Sequence, residues 1–150
     1  MARMATIIRE TIIDVDPAVA WAALSDFGAV HQRLATGFVT DCTVDTPDVR
    51  TIRFFNGAVA KERLVGLDEG ARRLAYTVIE SGLGPSHHNG AAQVVADGDV
   101  TRFVWITDVL PDELATTIGD LMDAGIAAIR ATLQRRHAGD ARDAQALQRH

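Results

Sequence analysis

The longest periodic run of apolar residues lies between Pro111 and Arg136. Leu114, Ile118, Leu121, Met122, Gly125, Ile129 and Leu133 recur at three- and four-residue spacing. This spacing predicts one apolar stripe along about seven turns of α-helix. Asp112, Glu113, Asp120, Asp123, Arg130, Gln134 and Arg135 fall mostly on the opposite side. Pro111 suits a first helical turn; the acids favour the amino end of the helix dipole, and Arg130, Arg135 and Arg136 the carboxyl end. A long helix with a single apolar stripe requires a surface to lie on. The segments before it read mainly as strands, so that surface is a sheet.

Taken in order, Thr6 to Val15 reads as a first strand whose faces the pattern does not sort. Asp16-Pro17 predicts a helix start, with aspartate as N-cap and proline at the first helical position. Val19, Ala20, Ala23, Leu24 and Phe27 form its apolar face, and Gly28 ends it. Ala29 to Leu34 predicts a second brief helix, and Gly37 releases the chain into a strand at Phe38 to Val44. Asn56-Gly57 predicts a two-residue hairpin turn. In that register Phe55 pairs with Ala58, Arg53 with Ala60 and Thr51 with Glu62. One face then carries Val49, Thr51, Arg53, Phe55, Ala58, Ala60, Glu62 and Leu64. It is expected to point inward, because the other face carries Arg50, Lys61 and Arg63. Leu74, Tyr76, Val78 and Glu80 share the next inward face, opposite Arg73. Ser81 to Ser86 is a glycine- and proline-bearing loop. A last hairpin turning at Asp97-Gly98 sets Ala92 against Phe103, Gly90 against Trp105 and His88 against Thr107. The glycine opposite the tryptophan would leave room for the indole.

Length and composition narrow the picture. A chain of 150 residues is read as one domain, residues 1–136, with a polar tail at 137–150 that frays or prolongs the helix. No apolar run approaches the roughly 18 residues of a membrane span. Met1 to Asp14 alternates like a strand rather than a secretion signal, so a cytoplasmic location is expected. The single cysteine, Cys42, excludes an internal disulfide and is read as a half-buried strand residue. A net charge of −5 and scattered arginines argue against a nucleic-acid partner. His87 and His88 are adjacent and would face opposite ways along a strand, a poor metal pair. The sequence shows no phosphate loop and no nucleophile elbow. No metal or cofactor is expected, and a homodimer is compatible with the sequence.

The predicted order is strand, two short helices, six strands, long helix. Asp16-Pro17 with Trp21, Asp26-Phe27-Gly28, Arg53, Glu62 with Leu64, Asp68, Tyr76, Trp105 and Pro111 stand along it. In this joint order the chain resembles the START/Bet v1-like (SRPBCC) superfamily, in particular its polyketide cyclase/dehydrase-like branch. The likeness runs from about Thr6 to Arg136. Many members carry a tryptophan shortly after the aspartate-phenylalanine pair, where this chain has His31-Gln32. The resemblance implies an α+β helix-grip fold: a curved seven-stranded antiparallel sheet wrapped around a long C-terminal helix, with two short helices after the first strand. It also implies a cavity for a hydrophobic or amphipathic small molecule.

The residues support a cavity independently. Ala58, Ala60, Gly90 and Ala92 on the inward face, and Gly125 on the helix, are small and leave space between the layers. Arg53, Glu62, Tyr76, Glu80 and His88 are polar and expected inward, which suits a hydrated cavity better than a dry core. Phe55, Leu64, Val78, Phe103 and Trp105 from the strands, with Met122 and Ile126 from the helix, complete the expected ligand-binding wall. Each polar group has a functional and a structural reading. Arg53 with Glu62 either anchors a ligand oxygen or forms a cross-strand ion pair that only settles the sheet. His88 is either a general base beside an enolisable ketone or a strand-start histidine bonded to backbone. Tyr76 and Glu80 either bond a ligand or find water. His31 sits either at the cavity mouth or in solvent at a helix end. The expected function is binding of a lipid-, polyketide- or aromatic-like molecule without changing it. The alternative is a cyclase or dehydratase in which His88, with Glu80 or Glu62, removes a proton while Arg53 and Tyr76 stabilise an enolate. A third reading is a protein-interaction module.

Overall fold

The structure, a computed structural model, describes residues 3–148. Among these residues there are seven strands: β1 (Ala5–Ile13), β2 (Val39–Thr46), β3 (Val49–Phe54), β4 (Val59–Asp68), β5 (Arg73–Ser81), β6 (His87–Asp97) and β7 (Val100–Leu110). They form one antiparallel sheet in the order β1-β7-β6-β5-β4-β3-β2. Helix α1 (Pro17–Ser25) follows β1, succeeded by a 3-10 turn (Phe27–Ala29) and a π-helical turn (Val30–Leu34). Helix α2 (Ala115–Gln148) follows β7 after a 3-10 turn (Asp112–Leu114). This is the expected α+β helix-grip architecture.

Local chemistry explains the helices. The Asp16 carboxylate accepts from the Ala18 N–H at 2.8 Å, and Pro17 occupies the first turn, where its missing N–H costs nothing. Trp21 is buried in the core and its indole N–H donates to Glu69 at 2.5 Å, tying α1 to the β4–β5 turn. On α2 the stripe read from the sequence is the buried one: Ile118, Met122, Ile129 and Leu133 face the sheet. Each such side chain contributes roughly 1.5–3 kcal/mol by leaving water. Arg9 on β1 bonds Asp123 at 2.5 Å, and a Cβ at Gly119 would stand 2.9 Å from the Arg9 guanidinium. The first half of α2 is therefore held close to the β1 edge, and space remains toward β4, β5 and β6.

Strand register decides what fills that space, and it departs from expectation at three points. At the β3–β4 hairpin the Gly57 N–H donates to the Phe54 carbonyl at 2.9 Å, and Gly57 has φ +85°. The loop is thus a three-residue turn closed by a left-handed glycine, not a two-residue Asn56-Gly57 turn. Arg53 pairs with Val59 and Arg50 with Glu62, one residue off the expected register. A one-residue slip exchanges the faces of a whole strand. Arg50, Ile52 and Phe54 therefore join Ala60 and Glu62 on the concave side, and Arg53 turns outward. Along β5, Val78 pairs with Glu62 but Glu80 pairs with Lys61, so Ile79 is an extra residue that bulges. The bulge turns Glu80 outward as well. At β6–β7 the turn falls on Gly98-Asp99, with Asp97 opposite Val100. That shift of the pairing is two residues, so it preserves the faces: Phe103, Trp105, Gly90 and Ala92 point inward as expected, with Ala92 rather than Gly90 opposite Trp105.

Two glycines make close contacts possible. A Cβ on Gly90 would lie 2.5 Å from both Cζ and the hydroxyl of Tyr76, so the phenol ring lies across this position. A Cβ on Gly125 would lie 2.9 Å from the Trp105 ring and 3.0 Å from Phe38. The glycine that accommodates the indole is thus Gly125 on α2, not Gly90. Gly90→Ala forces the Tyr76 ring to move and is expected to cost about 1–3 kcal/mol, read as a lowered Tm. Gly82→Ala, with nothing within 4 Å of the added carbon, serves as the control and should cost under about 0.5 kcal/mol.

Candidate functional site

The concave face of the sheet and α2 enclose a cavity of about 300 Å³. Leu74, Tyr76, Ala92, Phe103 and Trp105 form its floor; Ile52, Phe54, Ala60 and Val78 form one side. Ile118, Leu121, Met122, Gly125 and Ile129 on α2 form the roof, and Leu34 and Phe38 close the flank. At one end the wall is made by Asn56, Ala58, Val59 and Leu83, all solvent-exposed, together with Thr117. This end, between the β3–β4 hairpin, the β5–β6 loop and the start of α2, is the mouth.

Besides Asn56 and Thr117 at the mouth and Ser81 at the end of β5, the largely apolar wall carries the polar side chains of Arg50, Glu62, Tyr76, His88 and Thr107. Arg50 donates through Nε and Nη2 to one Glu62 oxygen at 2.9 and 2.8 Å. Its Nη1 donates to the Phe27 carbonyl at 2.8 Å, and the guanidinium stacks 4.2 Å from the Phe27 ring centroid. Both side chains are more than nine-tenths buried. The pair is thus a desolvated, mutually neutralised ion pair at the closed end of the cavity. The Trp105 indole N–H donates to the Tyr76 hydroxyl at 3.0 Å. Burial pushes the Tyr76 phenol well above its ordinary value, and the negative charge of Glu62 pushes it further. Burial, and secondarily His87, push His88 down to about 4. Both groups are therefore neutral near pH 7. Thr107 Oγ1 stands near the phenol, close enough to favour its ionised form slightly, yet is buried without a hydrogen-bond partner of good geometry.

Of the expected ligand-binding residues, Glu62, Tyr76, Val78, His88, Phe103, Trp105 and Met122 line the cavity. Arg53 does not; it is exposed on the outer face because of the β3–β4 slip. Phe55 is 57% exposed at the hairpin tip, its ring 6.0 Å from Phe38. Glu80 is exposed beside Lys61, 3.8 Å away, because of the bulge at Ile79. Leu64 and Ile126 are half-buried and pack against the core behind the wall. His31 is half-buried and lies outside the wall. Cys42 is half-buried, as expected, and burial raises its thiol. The main residue that sequence reasoning missed is Arg50. The inward Glu62 signalled a need for a counter-charge, but Arg53 in the expected register met it as well as Arg50 does in the observed one. Among the described residues no group of three or more metal-ligating side chains comes together, and no helix is long and apolar enough to cross a membrane.

Residues 4–135 match the profile of the family described as polyketide cyclase / dehydrase and lipid transport. The chain belongs to this family. The fold is shared with solved structures of the START/Bet v1 superfamily. Ginseng major latex-like protein 151 from Panax ginseng is 20% identical, with a TM-score of 0.72 over 85% of this chain and 96% of its own. A START superfamily protein from Mycobacterium smegmatis is 13% identical, with a TM-score of 0.68 over 87% of this chain and 95% of its own. A point mutant of norcoclaurine synthase from Thalictrum flavum is 19% identical, with a TM-score of 0.71 over 91% and 98%. At these identities the likeness establishes the fold alone. A search of curated proteins finds no significant match.

Two outcomes follow for this family member. Removing one half of the ion pair, as in Glu62→Ala, strands a buried guanidinium and should cost about 3–5 kcal/mol in urea unfolding. The double variant Arg50→Met/Glu62→Leu should recover most of that loss. For His88 the folded-state value is below the unfolded one, so the unfolded chain binds the extra proton. Stability is therefore full above about pH 6.5 and falls as pH drops toward about 4, by at most about 3 kcal/mol. His88→Leu should remove this component from the pH dependence of Tm.

Proposed function

We propose that this protein binds one hydrophobic or amphipathic small molecule of lipid-, polyketide- or aromatic-like character in the cavity and holds it without transforming it. The observation that carries this reading is the cavity of about 300 Å³, walled mainly by aliphatic and aromatic side chains beneath α2. That volume lies at the small end of the usual range for ligand pockets. An apolar void left empty forfeits dispersion contacts along its whole wall, and water entering it finds few partners. A molecule with apolar surface recovers both losses. Membership of a family described in part by lipid transport agrees with the reading.

The cyclase-type alternative has less support. It needs Arg53 to stabilise an enolate and offers Glu80 as a base, and both face solvent. Arg50, which lines the cavity in Arg53's stead, already gives three donors to Glu62 and Phe27. A histidine held near pKa 4 is a weak base toward a carbon acid.

Thermal unfolding against a panel of fatty acids, flavonoids and aromatic polyketides tests the proposal. A bound ligand at a hundredfold excess over Kd should add about 2.7 kcal/mol. Ala60→Phe, which places a ring in the cavity, should abolish the shift while the variant still unfolds cooperatively. No shift with any compound, or an undiminished shift in the variant, overturns it.

A further inference from the structure

Across the middle of the concave face one row of paired residues runs Leu64, Tyr76, Gly90, Thr107 from β4 to β7. Because Gly90 has no side chain, the Tyr76 ring lies over it and carries its hydroxyl toward β7. There the hydroxyl meets the Trp105 N–H at 3.0 Å. An indole nitrogen can only donate, so the roles in this bond are fixed. The phenol oxygen accepts, and its own proton is left to be given. Among the described residues no acceptor takes it in good hydrogen-bond geometry, although Thr107 Oγ1 stands near. The next side chain on the row, Thr107, is also buried with an unmatched hydroxyl. Buried polar groups are ordinarily paired, and two on one row of an apolar cavity wall call for a partner from outside the chain.

The charges around the row restrict that partner. Arg50, the cation in the wall, gives three of its five N–H donors to Glu62 and Phe27, and its charge is neutralised by Glu62. The pair sums to zero and offers no counter-ion to a ligand of either sign. His88 is uncharged near neutral pH. A carboxylate drawn into this cavity would give up its hydration without an unpaired cation to receive it. A pure hydrocarbon would avoid that loss but leave the phenol proton unused.

We infer that the ligand class is neutral and carbonyl-bearing: an apolar body whose inner end presents an uncharged acceptor oxygen to the Tyr76 hydroxyl. The inference rests on the cavity-binding reading above. Its mark would be a preference for ketones over acids of the same skeleton, set by one phenol group.

Calorimetric titration at pH 7.5 with three probes of one shape separates the two claims: 2-acetylnaphthalene, 2-naphthoate and 2-ethylnaphthalene. The ketone should bind at least tenfold tighter than the carboxylate and several-fold tighter than the hydrocarbon. Tyr76→Phe, which keeps the ring, should weaken the ketone roughly tenfold and the hydrocarbon less than twofold. In the wild-type protein the carbonyl stretch of a 13C-labelled ketone should move to lower frequency, and Tyr76→Phe should abolish the move. Should that variant fail to fold, the ranking of the probes and the infrared shift on the wild-type protein still decide. Hydrocarbon or naphthoate binding as tightly as the ketone, or a ketone with an unshifted carbonyl, overturns the inference and leaves cavity binding standing. Binding of none of the three overturns both.

Discussion

The alternation of side chains along a strand is the constraint on which the cavity depends. Residues on the concave face line the cavity or its surroundings, and their neighbours one position away point to the opposite face of the sheet. A turn or bulge that adds a single residue therefore exchanges the chemistry of the two sides. Gly57, able to hold φ +85°, adds one at the β3–β4 hairpin and brings Arg50 opposite Glu62. Ile79 adds one in β5 and removes Glu80 from the interior. Without these two insertions the interior would receive Glu62 and Glu80 against Arg53, an excess of negative charge. With them it receives one acid and one base.

That pairing has consequences beyond charge balance. A buried arginine and glutamate are costly to desolvate and repay the cost only when every donor is engaged. Arg50 approaches this condition by reaching past Glu62 to the Phe27 carbonyl, which lies outside the sheet in the 3-10 turn, so that each of its three nitrogens donates. The ion pair thus joins β3, β4 and the segment after α1 at the end of the cavity remote from Asn56 and Leu83. The closed end is fixed by charge-assisted bonds. The mouth, in contrast, is made of a hairpin tip and the Ser81–Ser86 loop.

Most of the architecture was legible in the sequence because it follows from strong local signals. The stripe from Leu114 to Leu133, the Asp16-Pro17 cap and the turn at Asn56-Gly57 each have a local physical cause. The inward set on β5, β6 and β7 up to Val78 was legible too, since the β6–β7 pairing shifted by two residues and kept its faces. What was not legible was the residue count inside a turn. Asn-Gly is compatible with a two-residue loop and with a three-residue loop ending in a left-handed glycine, and the two differ by one in register. Arg50 and Arg53 are both cations flanking apolar residues, so side-chain type alone could not break the tie. The unmatched hydroxyl of Thr107 and the exposure of Glu80 were hidden for a related reason: each depends on what lies across the sheet, not on the residue itself.

Packing then determines how much of the concave side stays open. Gly125 lets α2 descend onto Trp105 and Phe38, so the roof touches the floor at one point and holds the indole in place. The fixed indole in turn directs its N–H to Tyr76, which Gly90 allows to lie flat against the sheet. Ala60 and Ala92 are buried cavity-wall residues too small to fill the remaining space. Two glycines thus bring large aromatic groups into contact, while two alanines keep their surroundings empty. The result is an interior of zero net charge in which polarity is concentrated at few atoms. In such a site discrimination between ligands comes from whether those few atoms are matched, because a mismatch inside a low-dielectric wall is not relieved by water.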